Sequence, residues 1–269
     1  INVLDGKAGV DVLDGGEGSD IYLVGLASDH AAAEIADSGN GGSDEVRFAA
    51  SASGTLTLFA GDRGIERVVI GSGLGEIAIT SGTLALDVDA SRVANALSVL
   101  GNAGANVLTG TAYADRLDGG AGADRLIGGG GADTLIGGAG NDVYVVDSGD
   151  AIIEASTLAS EIDRVESYVD WILGANLENL TLLGTGNLAG TGNALNNTLT
   201  GNAGANRLDG GQGADILLGG AGDDRYVVDN LGDKVYETTT STSQYDAGGT
   251  DTVDSSINWT LGNFVENLT

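Results

Sequence analysis

With 39 acids against 11 bases in 269 residues, the chain has a formal net charge of −28, the wrong sign for holding nucleic-acid phosphates. It has no cysteine, which excludes disulfides and thiolate metal sites, and no apolar run approaches the roughly 18 residues of a membrane-spanning helix. Its hydrophobic content of 42%, with leucines at regular places, favours a folded polyanion neutralised by metal over a self-repelling disordered chain.

In chain order, the first residues already follow a nine-residue register: INVLD, then GKAGVDVLD and GGEGSDIYL. The chain therefore reads as a segment of a longer protein, and the lack of a leader says little about destination. Beyond Leu23 come linking elements at 30–34, 44–48 and 65–69, then an insertion at 71–100 in which 92–97 is expected to form a turn of helix. From Gly101 five nonapeptides run without a slip: GNAGANVLT, GTAYADRLD, GGAGADRLI, GGGGADTLI and GGAGNDVYV. Linking elements at 150–154, 163–167 and 177–181 follow. The nonapeptides resume at Gly192 as GNALNNTLT, GNAGANRLD, GGQGADILL and GGAGDDRYV, with linking elements at 233–237, 251–255 and 265–269. The Thr/Ser-rich stretch 237–249 is expected to be an exposed loop. Three modules result, 1–100, 101–191 and 192–269.

A fixed short period implies stacked coils. In GGAGADRLI from Gly119, six residues make a turn and three a short strand. Glycines at the first, second and fourth positions are expected to take positive φ and to let carbonyls approach closely. Alternation along the strand sends Leu126 inward and Arg125 and Ile127 outward, so the inward column reads Leu108, Leu117, Leu126, Leu135, Tyr144. Two nonapeptides make one coil of eighteen residues with two strands facing each other. Sixth-position carboxylates then stack at one strand spacing, about 4.8 Å. Such neighbours repel by roughly 3–4 kcal/mol at an effective dielectric of ~20. A hard divalent cation reverses that sign. Ca²⁺, which accepts carboxylate and carbonyl oxygens in flexible geometry, suits the site better than Mg²⁺. Transition metals would want His or Cys, and His30 is the only residue of either kind.

GGAGADRLI, GGGGADTLI, GGQGADILL and GGAGDDRYV resemble the RTX, or hemolysin-type, nonapeptide GGxGxDxUx, where U is a large apolar residue. The resemblance implies an all-β, right-handed parallel β-roll or β-solenoid of three tandem modules that binds several calcium ions. It implies ligands from sixth-position acids and from carbonyls, at positions two and four of an earlier turn and one and three of the next. One site would then use Thr111, Tyr113 and Asp115 with Gly128, Gly130 and Asp133. A second would use Gly120, Gly122 and Asp124 with Gly137, Ala139 and Asp142. Three sites with a neutral Asn would bind less tightly: Asn106 (with Asn102, Gly104, Gly119 and Ala121) facing Asp124; Asn206 (with Asn202, Gly204, Gly219 and Ala221) facing Asp224; and Asn197 (with Gly210 and Gln212) facing Asp215. Asn2 with Asp20 is a further pair, whereas Asp11 is expected to lack a downstream partner.

Other residues read as structural. Tyr22, Tyr144 and Tyr226 occupy the inward column, and Trp171 and Trp259 are equivalent packing residues. Glu178 and Glu266, beside Asn179 and Asn267, repeat between modules as structural hydrogen-bonding groups rather than catalytic acids. His30 is expected on the surface, and Arg116, Arg125, Arg207 and Arg225 are expected to offset charge between strands. With no catalytic constellation in the segment, the expected function is a non-enzymatic calcium-binding structural segment of a secreted or cell-surface bacterial protein, adhesin or surface-layer-like, exported by a type I route. The alternatives are an accessory β-roll of a secreted lipase, metalloprotease or alginate epimerase, or a self-assembling filament protein. Calcium is the expected partner, with self-association or a cell-surface polysaccharide beside it.

Overall fold

A computed structural model describes residues 1–9, 11–32, 34–39, 41–238, 247–262 and 265–269. Two compact units are present, Ile1–Ile153 and Glu154–Thr269. Each is a β-solenoid of short parallel strands, and no α-helix occurs among the described residues; a single 3₁₀ turn spans Ala27–Asp29.

In the first unit one sheet runs, in spatial order, Val3–Leu4, Ile21–Val24, Glu45–Phe48, Arg67–Ile70, Ser98–Leu100, Arg116–Ala121, Thr134–Ala139 and Ala151–Ile153. The facing strands are Gly54–Thr57, Leu86–Asp89, Val107–Thr109, Arg125–Ile127 and Val143–Val146. In the second unit Arg164–Ser167, Asn179–Leu182, Thr198–Thr200, Ile216–Leu218 and Lys234–Tyr236 face Trp171–Ile172, Ala189–Thr191, Arg207–Asp209, Arg225–Val228, Thr252–Ser255 and Asn267–Leu268. Within nonapeptide blocks the register is eighteen residues, as in Leu108↔Leu126↔Tyr144 and Leu117↔Leu135. The linking elements keep the same pairing with coils of other lengths: Ile21↔Glu45, Glu45↔Arg67, Arg164↔Asn179 and Arg225↔Thr252.

The inward columns are dry. Leu108, Leu117, Leu126, Leu135 and Tyr144 in the first unit, and Leu180, Leu199, Leu208, Leu217 and Tyr226 in the second, are all 0% exposed. Each such side chain gives about 1.5–3 kcal/mol on burial, and a three-residue strand realises it only when a second strand covers it. Tyr22 joins the same core. Trp171 and Trp259 are half-buried.

The insertion 71–100, whose fold the sequence leaves open, continues the solenoid through Leu86–Asp89 and Ser98–Leu100; only the Ser72↔Ile79 antiparallel bridge turns aside. Other expectations need correction. Residues 92–97 form bends rather than helix, held by turn bonds such as Val93 N–H to the Ala90 carbonyl at 2.9 Å. Of the stretch 237–249, residues 239–246 lie outside the described residues; Glu237 and Thr238 are buried, and 247–249 are exposed.

His30 is not a surface residue. Its ring is buried between two acids, with Nε2 2.8 Å from Asp62 Oδ2 and Nδ1 3.4 Å from Glu34 Oε2. The partner that buries it is 32 residues away, out of reach of local sequence reading. Two of the arginines also differ from expectation, and Arg225 meets it. Arg116 and Arg207 pair with Asp118 and Asp209 two residues along their own strands, both at 3.0 Å, while Arg225 reaches across to Asp254. These pairs are exposed, so each contributes little.

Candidate metal centre

The sixth-position acid stands one residue before each strand, and the two oxygens of its carboxylate have different tasks. One accepts the backbone N–H of the residue stacked above it: Asn106 N–H to Asp124 Oδ1 at 2.7 Å, Asp115 to Asp133 at 2.7 Å, and Asp124 to Asp142 at 2.8 Å. The second unit repeats this with Asn197 to Asp215 and Asn206 to Asp224, both at 2.7 Å. Asn2 N–H likewise donates to Asp20 Oδ1. The other oxygen, Oδ2 of Asp20, Asp124, Asp133, Asp215 and Asp224, is buried without a hydrogen-bond donor. An anionic oxygen removed from water and left without a donor is costly, and a cation is the group that relieves it.

Carbonyls converge on the same spot. A Cβ on Gly119 would lie 2.5 Å from Asp124 Oδ2 and 2.7 Å from the Gly137 carbonyl oxygen. One on Gly110 would lie 2.6 Å from Asp115 Oδ2 and 2.4 Å from the Gly128 oxygen. First-position glycine is therefore required by this crowding rather than by positive φ, which the second and fourth positions adopt, as in Gly129 (+97°) and Gly131 (+123°). Those glycines lie against the earlier turn's carbonyls: Gly129 against Thr111, Gly131 against Tyr113, Gly138 against Gly120, and Gly140 against Gly122. The same holds for Gly120 over Asn102, Gly122 over Gly104 and Gly222 over Gly204.

Third-position groups tie the turns together, with Ala121 N–H on the Asn102 carbonyl, Gly130 N–H on Thr111 and Gly122 N–H on the Ala139 carbonyl, at 2.8–3.1 Å. A carbonyl has two lone pairs, so one such bond leaves capacity for a metal. Gln212 and Ala221 sit in the corresponding turns, each between two glycines with positive φ. Beside Gly210 and Gly219 the Oδ2 atoms of Asp215 and Asp224 both stand 2.2 Å from where a Cβ would be.

The donor set is all oxygen, carboxylate plus carbonyl, which fits Ca²⁺. Asp115 differs in that Thr111 covers it: the Thr111 N–H reaches Oδ2 and its hydroxyl Oδ1 at 3.1 Å. The asparagines differ more. Asn106 accepts the Asn102 N–H at 2.9 Å, and its amide donates to the Leu86 carbonyl at 2.7 Å and to Asn102 Oδ1 at 3.2 Å. Asn197 donates to the Leu177 carbonyl and Asn206 to Asn202 Oδ1, both at 3.0 Å. Their amide N–H groups are thus satisfied by protein oxygens, where the corresponding aspartates leave an oxygen without a donor.

Burial pushes the carboxyls of Asp124, Asp133 and Asp215 up to about 6 and that of Asp224 to about 7, with neighbouring acids adding to it. Burial raises Asp115 as well, opposed by its Thr111 and Leu97 hydrogen bonds.

The linking elements extend the same ladder. Asp20 N–H donates to Asp44 Oδ1 and Asp44 N–H to Glu66 Oε2; Asp133 N–H donates to Asp150 Oδ1. In the second unit Asp163 donates to Glu178, Asp215 to Asp233, Asp224 to Asp251 and Asp251 to Glu266, at 2.7–3.0 Å. Glu178 and Glu266 are structural acceptors, and Asn179 and Asn267 each add a bond to the carbonyl of the stacked aspartate at 3.3 Å. Asp11, expected to lack a downstream neighbour, shares the space beside Gly6 with Glu34, whose Oε1 and Asp11 Oδ2 lie 2.8 and 2.9 Å from a Cβ placed there. Sequence reading noted these acids without their role, because coil length varies outside the nonapeptides. The available signal was an acid one residue before each of these linking strands.

Comparison with known proteins agrees with this geometry. The RTX calcium-binding nonapeptide repeat matches four times, at residues 1–30, 100–135, 118–153 and 191–226. A search of curated proteins found no match to the chain. The stacked turns over those residues belong to the RTX calcium-binding nonapeptide repeats, and the chain is a β-solenoid built on them.

Proposed function

We propose that this chain is a non-enzymatic structural segment of an exported bacterial protein, unfolded where calcium is scarce and folded by it outside the cell. The observation that carries this reading is the row of buried Oδ2 atoms without donors at Asp20, Asp124, Asp133, Asp215 and Asp224. Without a cation these charges oppose stacking; with one, binding free energy becomes folding free energy. Extracellular calcium modules bind at roughly 10⁻⁴–10⁻³ M, which matches occupancy outside cells and vacancy in the cytosol. A structural role is supported by the use of the acids themselves, which hold backbone N–H groups of neighbouring coils. Surface attachment, adhesin-like or surface-layer-like, extends the same reading, since calcium would stiffen the stacked coils where an exported protein works. Far-UV circular dichroism and hydrodynamic radius, in chelator and in millimolar calcium, test it. The expected outcome is an expanded chain that compacts with calcium, and a fold indifferent to chelation refutes it.

A further inference from the structure

At the end of the second unit's nonapeptide block, three acids meet that do not share the nonapeptide spacing. Asp224 precedes the strand Arg225–Val228 and Asp251 precedes its neighbour Thr252–Ser255. Glu237 directly follows Lys234–Tyr236, a strand of the opposite sheet. One oxygen from each lies within 4.8 Å of the others.

The side chains are buried, with exposures of 1%, 2% and 1% for Asp224, Glu237 and Asp251. Asp224 Oδ1 and Asp251 Oδ1 each take a backbone N–H at 2.7 Å, from Asn206 and Asp224 respectively. Asp224 Oδ2, Asp251 Oδ2 and both oxygens of Glu237 receive no backbone N–H and no basic side chain, and the Tyr226 hydroxyl is the polar group beside Glu237. The bases beside the cluster do not serve it: Lys234 is exposed, and Arg225 is exposed and paired with Asp254.

The first unit shows the contrasting solution. Asp20, Asp37 and Asp44 cluster in the same way, but Asp37 is covered by donors: Gly16 N–H and the Tyr22 hydroxyl on Oδ1, and Gly39 N–H on Oδ2, at 2.8–2.9 Å. Glu237 has no counterpart of the two backbone N–H donors and keeps only the tyrosine, Tyr226, beside it. A shared proton satisfies one pair of these carboxylates at a time, whereas one hard cation can meet an oxygen of all three at once.

We propose that Asp224, Glu237 and Asp251 form an additional hard-divalent-cation site, suited to Ca²⁺, that ties the two sheets together where the nonapeptide block ends. This rests on the calcium-dependent folding proposed above, and it differs from the nonapeptide sites in drawing a ligand from the linking strand. The site acts as a cross-sheet staple, since Glu237 is on one sheet and the aspartates on the other.

Equilibrium dialysis of the whole chain against calcium counts the ions. Glu237→Gln is expected to bind one ion fewer than the wild type while remaining folded by circular dichroism. Glu17→Gln, at an exposed acid, should bind the same number as the wild type. An unchanged count for folded Glu237→Gln overturns the site but leaves calcium-dependent folding standing. A wild type that binds no calcium overturns both. Should Glu237→Gln fail to fold, a crystal structure of the wild type grown in calcium decides the matter. Density for an ion among the three carboxylates supports the proposal, and none there with the nonapeptide turns filled refutes it.

Discussion

Replacing Asp133 by Asn should change the sign of its effect on stability according to whether calcium is present. Asp133 stands between Asp115, whose N–H it accepts at 2.7 Å, and Asp150, which accepts its own N–H at 3.0 Å. Its carboxyl is pushed from 3.8 to about 6, mainly by burial and then by the neighbouring acids. Ionising it at neutral pH therefore costs the folded, metal-free state about 3 kcal/mol. An amide keeps the Oδ1 acceptor and removes the charge, as Asn106 does at the same position in its turn. In chelator, Asp133→Asn should favour folding by about 2–3 kcal/mol, a factor of roughly 30–150. In calcium at 1,000 times Kd the wild type gains about 4.1 kcal/mol from this site, which outweighs the charge relief and leaves the variant about 1–2 kcal/mol less stable. Trimethylamine N-oxide, which drives burial by exclusion from the surface, gives the folding midpoint in chelator, and urea gives it in calcium. The variant's midpoint should fall in the first titration, because less osmolyte is needed, and also in the second, because less urea is tolerated. A variant that needs more osmolyte than wild type in chelator would refute the charge argument.

Acid should partly replace calcium. Carboxyls raised to about 6 at Asp124, Asp133 and Asp215 and to about 7 at Asp224 favour folding below their unfolded value, and that contribution is lost as pH rises through 6–7. The metal-free chain should therefore be more compact at pH 5 than at pH 7.5 in small-angle scattering; equal dimensions at both would count against it. Gly129→Ala should raise the calcium midpoint strongly, because its φ is +97° and a Cβ would lie 2.0 Å from the Thr111 oxygen. Gly130→Ala next to it should be near neutral, its Cβ coming no closer than 3.8 Å to the Ala112 backbone, and equal effects would refute the crowding argument. His30→Ala should cost about 3–5 kcal/mol in urea melts in calcium, by leaving Glu34 and Asp62 buried without their partner. Arg116→Ala, which breaks an exposed pair, should cost no more than about 1 kcal/mol; a His30 effect as small would contradict the buried triad.

The nonapeptides made most of the architecture readable. Period nine with Leu at position eight gave the eighteen-residue coil, the inward columns and the stacked acids, because each coil is a local unit repeating its own chemistry. What escaped reading depended on contacts between coils of unequal length. Asp44 lies 24 residues beyond Asp20 and Glu66 22 beyond Asp44, so no fixed interval announces that they continue one ladder. Asp251 lies 27 beyond Asp224 for the same reason. His30 was misplaced because an Ala-rich neighbourhood gives no hint of Asp62. Of the two reasons read for the first-position glycine, close approach holds and positive φ does not, since a sequence reports that a side chain is absent and not whether torsion or crowding forbids it.

The division of labour within each carboxylate bears on how such chains can change. One oxygen grips the backbone of the coil above, whatever number of residues separates the two acids, and coils of 15, 18, 22, 24 and 27 residues all satisfy it. Axial alignment is set where the acid precedes its strand, and excess length is taken up in the connection between strands. Segments can be spliced in or trimmed out without shifting the rows beneath, provided that an acid lands one residue ahead of the next strand.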